Sequence, residues 1–116
     1  MPLLKIQTNQ PIEPDQRKSL LRKASAEVAA LLGKPERFVM VSLEQNPEML
    51  FAGSDAPLAY LELKSIGLPG ERTQELSDAL CHLIADRLGI SAERIYIEFA
   101  DAQRHLWGWN GATFER

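Results

Sequence analysis

Only one of the 116 residues is a cysteine, Cys81, which excludes an internal disulfide. It falls in a helical apolar pattern, where a free thiol packs as a small hydrophobe, and a reducing cytoplasm is the expected location. Histidine is equally scarce. Neither His82 nor His105 has another His or a Cys at ligand spacing, so a metal site or an imidazole acid–base pair is not expected. No apolar run approaches the roughly 20 residues that cross a bilayer. The start, Met1-Pro2-Leu3-Leu4-Lys5, carries no basic region ahead of a hydrophobic stretch, so no ordinary secretory leader is expected. Positive charge is also short, 13 Lys and Arg against 16 Asp and Glu, net −3. A nucleic-acid partner, which calls for concentrated positive potential, is thereby disfavoured. Arg17, Lys18, Arg22 and Lys23 recur at helical spacing and read as a solvated helix face.

The chain does have an ordinary globular composition, 45% hydrophobic and 25% charged, and residues 1–116 are expected to form a single domain. Residues 3–8, LLKIQT, read as a strand that ends at Asn9, Gln10 and Pro11. From Asp15, a plausible N-cap, Leu20, Leu21, Ala24, Val28, Leu31 and Leu32 mark a helix that stops at Gly33. Phe38–Leu43 predicts a largely buried second strand. The order then repeats: strand Leu58–Leu63, a helix through Leu76, Leu80, Leu83, Ile84 and Leu88 to Gly89, and strand Arg94–Phe99. Leu20 and Leu76, Val28 and Ile84, Leu32 and Leu88, and Gly33 and Gly89 each stand 56 residues apart. The predicted fold is therefore α+β, an α/β sandwich. Two pseudo-symmetric βαβ units form a four-stranded sheet with two helices on one face. The face left uncovered is expected to be apolar and to pack on further copies of the chain.

Pro2 is small enough for removal of Met1, which leaves a secondary amine at the chain end. An α-amine has a pKa of about 8, and burial or a nearby cation lowers it into the range useful to a general base. Taken alone, Pro2 is as readily an ordinary chain start. It is joined by Gly33-Lys34-Pro35, Ser65-Ile66-Gly67 and Trp109-Asn110-Gly111-Ala112-Thr113-Phe114. With these motifs in this order, the chain from Pro2 to Phe114 resembles the macrophage migration inhibitory factor family of the tautomerase superfamily. The resemblance implies a homotrimer with active sites between subunits and interconversion of the keto and enol forms of aryl pyruvates such as phenylpyruvate. Pro2 would be the catalytic base, and no metal or cofactor is implied. Lys34 would hold the substrate carboxylate and depress the amine. Ile66 would bind a substrate oxygen through its backbone N–H, Tyr96 would enter from the adjacent subunit, and Phe114 and Phe38 would line the pocket.

Departures from the animal members bear on specificity. Glu98 stands where Asn is usual, able to repel an acidic substrate or to accept a hydrogen bond from a hydroxyl or ammonium group. Trp107 replaces a smaller Val and would narrow the pocket mouth or add a stacking surface. Leu58-Ala-Tyr-Leu61 lacks the CxxC dithiol, so thiol oxidoreductase chemistry is not implied, and Ile12 replaces an Arg that contacts the cytokine receptor. Two alternatives stay open: a decarboxylase or hydratase of small acids using a cationic proline, and a cytokine-like interaction protein, for which non-classical secretion would be needed.

Overall fold

The computed structural model describes residues 1–115. Strand β1 spans Leu3–Thr8 and alternates cleanly, with Leu4, Ile6 and Thr8 buried and Leu3, Lys5 and Gln7 on the other face. Helix α1 spans Pro14–Leu32. Its N-cap is Glu13 rather than Asp15, because Pro14 lacks an N–H and already has the φ of a first helical residue. The Glu13 N–H donates to Gln16 Oε1 at 3.3 Å, half of a capping box. At the other end Gly33 adopts φ 63°, and the Gly33 and Lys34 N–H groups donate to Ala30 O and Ala29 O at 3.4 and 3.0 Å. This Schellman arrangement satisfies the last carbonyls of α1 and fixes the backbone of Lys34.

A 3-10 turn, Glu36–Phe38, precedes strand β2, Met40–Gln45. Two expectations are corrected here. Phe38 lies in the turn rather than in the strand, and β2 is an edge strand whose residues alternate between exposed and half-buried, with Met40 66% exposed. The second unit repeats the first: strand β3 spans Ala59–Ile66, helix α2 spans Thr73–Leu88, a 3-10 turn Ala92–Arg94 follows, and strand β4 spans Ile95–Ala102. Arg94 belongs to that turn, in the place that Phe38 occupies 56 residues earlier. Beyond β4 the chain adds a small hairpin, β5 Gly108–Trp109 and β6 Ala112–Thr113. Its turn, Asn110-Gly111, has φ 53° and 78°, the positive pair that a two-residue hairpin loop requires.

The strand order is β2-β1-β3-β4, parallel within each unit and antiparallel where β1 meets β3. Both helices pack on one face: Leu20, Ala24 and Val28 of α1 and Leu76, Leu80 and Ile84 of α2 join Leu4, Ile6, Leu61 and Leu63 in one buried cluster. Arg87 Nη1 of α2 donates to Ser19 Oγ of α1 at 2.9 Å. The opposite face is polar, contrary to the apolar face expected. Lys5 and Lys64 flank Glu62 at 3.8 and 3.9 Å, Gln7 Nε2 donates to Glu44 Oε2 at 2.7 Å, and Tyr60 Oη donates to Glu98 Oε1 at 3.3 Å. Alternation along a half-buried sheet produces this pattern, so burial of apolar surface does not by itself call for further copies.

Gly89 caps α2 with φ 67°, and a Cβ there would meet nothing within 4 Å. The cost of Gly89→Ala is therefore backbone strain alone, about 1–2 kcal/mol. Urea unfolding at fixed protein concentration should show that loss. An unchanged midpoint would mean that the cap relaxes.

Candidate active site

The N-terminus opens into a cavity of about 360 Å³ lined by Met1, Pro2, Phe38, Trp107, Trp109 and Phe114. Strand pairing holds Pro2 there: the Met40 N–H donates to Pro2 O at 3.0 Å, and the side chain of Pro2 is fully buried. The hairpin supplies the aromatic wall. Trp109 stacks on Phe114 with centroids 5.8 Å apart and 13° between planes, and meets Phe38 edge to face at 5.5 Å. The Phe114 N–H donates to Trp107 O and Arg104 O, both at 3.2 Å, which ties the hairpin back to the turn that follows β4. Arg37 also lines the cavity, its guanidinium 4.7 Å from the Phe38 centroid.

The free amine of the chain as described belongs to Met1 and stands one residue ahead of the amine that loss of Met1 would expose. Its pKa is pushed below the ordinary value, first by burial, then by the positive charges of Lys34 and of Arg104. All three effects disfavour the ammonium form, and the nitrogen of Pro2 lies in the same cavity wall.

Four of the residues named from sequence therefore gather here, Pro2, Phe38, Trp107 and Phe114, while Lys34 is not part of the lining and bears on the site through its charge on the chain-end amine. Ile66 is close by register. Leu3 pairs with Lys64, which sets Pro2 beside the Ser65-Ile66 end of β3, and Ile66 is 7% exposed. Tyr96 and Glu98 are elsewhere. Gln7 pairs with Tyr60, and Tyr60 with Tyr96, so Tyr96 sits five residues along the strand direction from Pro2 and two strands across. That is about 16 Å along and about 10 Å across, out of reach of the amine of its own chain. Glu98, level with Lys5 and Glu62, is also outside the cavity, on the polar sheet face.

Tyr96 is 66% exposed and borders a second, smaller cavity of about 250 Å³ lined by Met49, Leu50, Phe51, Leu58 and Tyr60. Its ring meets Phe51 at 4.7 Å. The 56-residue register explains this second cavity: Leu58 corresponds to Pro2 and Tyr96 to Met40. In place of Phe38 stands Arg94. Its guanidinium donates to Pro57 O, Phe51 O, Ser54 O and Ala56 O at 2.9–3.0 Å and lies 5.2 Å from the Phe51 centroid.

Sequence reasoning missed three residues. Trp109 was visible only as part of a motif, although an aromatic beside an Asn-Gly turn signals a hairpin able to face Phe114. Arg94 was read as the start of a strand, and the internal repeat, carried one step further, marks it as the counterpart of Phe38. Arg104 had no signal beyond charge in a polar loop. Among the described residues, no group of three or more His, Cys, Asp or Glu is placed to hold a metal, and no helix is long and apolar enough to cross a membrane.

The fold is that of a known family, and comparison with known proteins names it. Residues 1–115 match the family described as macrophage migration inhibitory factor (MIF). The chain is 38% identical to macrophage migration inhibitory factor of Meriones unguiculatus and 40% identical to a homolog from Brugia malayi, each over 115 residues that cover 98% of this chain and 99% of the relative. Among solved structures, a homologue from Prochlorococcus marinus superposes with a TM-score of 0.91 at 50% identity, covering 97% of this chain and 99% of that one. The factor from Trichinella spiralis gives 0.88 at 32% identity with the same coverage. The chain belongs to the macrophage migration inhibitory factor family.

Proposed function

We propose that this chain is a keto–enol tautomerase of aryl pyruvates such as phenylpyruvate, with Pro2 as general base once Met1 is removed. The observation that carries the reading is the place of Pro2, buried in the wall of an aromatic-lined cavity, beside a Met1 amine whose pKa burial and the charges of Lys34 and Arg104 hold below its ordinary value. A neutral amine has a lone pair with which to take the proton beside the substrate's carbonyl. The resulting ammonium returns that proton to the other atom of the enol system, so no net electron transfer occurs. Lys34 holds the carboxylate, the Ile66 backbone N–H meets the developing oxyanion, and Phe38, Trp109 and Phe114 take the aryl ring. Trp107 narrows the mouth.

Tyr96 completes the site from a neighbouring copy in a homotrimer, a placement supported by its distance from Pro2 within the chain and by its exposure. Glu98 would reach the pocket by the same route and set substrate preference. No nucleic acid, membrane or cofactor takes part in this reading, and the proposed location is the cytoplasm. Decarboxylation or hydration by a cationic proline is disfavoured, since the burial and positive charges that depress the Met1 amine would also oppose protonation of a Pro2 amine in the same cavity.

The reading sets a pH dependence. A base with a lowered pKa is protonated and inactive at low pH, so kcat/KM should rise with pH through a value below the ordinary 8 or so and level off above it. Initial rates of ketonisation of enolised phenylpyruvate, followed by ultraviolet absorbance across pH, test this. A profile that falls as pH rises through neutrality would point to a cationic amine instead.

A further inference from the structure

We propose that Arg104 is a substrate-binding residue of the amine cavity, a second cation that holds the carboxylate of a 2-oxo acid together with Lys34. The inference rests on the tautomerase reading of that cavity and extends it to how the acid group is recognised.

Arg104 begins the 3-10 turn Arg104–Leu106 that follows β4, and its backbone is fixed from two sides. The N–H groups of Trp107 and Phe114 both donate to Arg104 O, at 3.4 and 3.2 Å. Both donors belong to residues of the cavity wall, so the turn and the wall move as one piece. The side chain turns back toward the same wall, where Nη1 donates to Phe114 O at 3.5 Å. A guanidinium has five N–H donors, and one long bond to a neutral carbonyl leaves most of them uncommitted.

Four other arginines of the chain are engaged elsewhere, and Arg37, which lines the cavity, lies over the Phe38 ring. Arg17 donates to Gln45 and Ile12, Arg72 pairs with Glu75, Arg87 donates to Ser19, and Arg94 serves four carbonyls. Among the described residues no salt bridge involves Arg104. Its bond to Phe114 O sets it at the rim of the cavity rather than among the lining residues, and its charge, like that of Lys34, bears on the chain-end amine of Met1. An aromatic wall beside two cations is complementary to an acid carrying an aryl group. The forked guanidinium suits the two oxygens of a carboxylate, where an ammonium offers a point charge.

Arg104→Gln tests this, because glutamine keeps a polar side chain with an amide donor while removing the charge and the fork. With enolised phenylpyruvate, KM should rise about tenfold while the high-pH plateau of kcat stays within about threefold, the mark of lost ground-state binding. KM for the methyl ester of the same enol should stay within about twofold. The acidic limb of the pH profile should move to higher pH as a cation is withdrawn from the amine. Equal changes for acid and ester, or no change in either, would overturn the proposal.

If the wild-type protein turns over neither compound, the tautomerase reading fails by itself, and binding of phenylacetate decides the status of Arg104. The fluorescence of Trp107 and Trp109, the two tryptophans of the chain, reports occupancy of the cavity. Weaker phenylacetate binding by Arg104→Gln, by about tenfold, sustains the role. Equal affinities, or no binding by the wild type, remove it.

Discussion

Pro2→Gly is expected to lower kcat/KM for ketonisation of enolised phenylpyruvate by about 10²-fold or more, within the range of about 10²–10⁴ that a positioned general base supplies. Glycine leaves a free amine after loss of Met1, but a primary, mobile one in place of the fixed pyrrolidine nitrogen. The strand should survive. The contact that seats Pro2 is its carbonyl, accepting from the Met40 N–H at 3.0 Å, and glycine retains it. A chain made to keep Met1 should lose more activity still, because the Pro2 nitrogen is then an amide with no basic lone pair. Rates close to wild type in both proteins would remove Pro2 from the mechanism.

Arg94→Ala should destabilise the protein by about 2–3 kcal/mol, the largest stability effect expected here from a side chain outside the core. Four carbonyls of the segment Phe51–Pro57 lose a charged donor together. Hydrogen bonds to a charged group contribute about 1.5–3 kcal/mol each in favourable cases, but solvent partly reaches this cluster and replaces some of them, so their sum is far from additive. Arg94→Lys should recover less than half, since one ammonium cannot serve four carbonyls fanned around a planar fork. Urea unfolding at fixed protein concentration measures both variants. A loss under about 0.5 kcal/mol for Arg94→Ala would mean that the segment holds its shape unaided. Because this segment carries Phe51 against Tyr96, a loosened loop should also lower tautomerase activity if Tyr96 serves a neighbouring copy.

The helices and the repeat were legible because periodicity and glycine stops act locally. Leu20, Val28, Leu76 and Ile84 recur with the helical period, and Gly33 and Gly89 supply the left-handed caps. Strand starts were less legible. Phe38 and Arg94 each close a 3-10 turn just ahead of a strand, and nothing in their residue type separates the last turn residue from the first strand residue. The polar sheet face could have been read from Lys5, Gln7, Glu62 and Lys64, which alternate with buried residues, but attention to apolar content hides alternation.

The site divides in the same way. Pro2, Lys34 and Phe114 are far apart in sequence and connected only through the resemblance to a family, and the fold brings Pro2 and Phe114 to one cavity with the charge of Lys34 acting on the chain-end amine there. Tyr96 and Glu98 could not be placed by any single-chain argument, because the strand register sends Tyr96 to the far end of the sheet and Glu98 to its middle, both two strands away from Pro2. Arg104 was not legible at all. A cation in a polar loop resembles a solvated surface charge until the hairpin folds back and presents the Phe114 carbonyl to it.

The central claim is a neutral proline amine, and titrating the Pro2 nitrogen of the Met1-free protein by ¹⁵N NMR tests it most directly. The account predicts a pKa clearly below the ordinary amine value of about 8, moving back up toward it in Arg104→Gln. A value at or above about 8 in the wild type, unmoved by loss of Arg104, would contradict it.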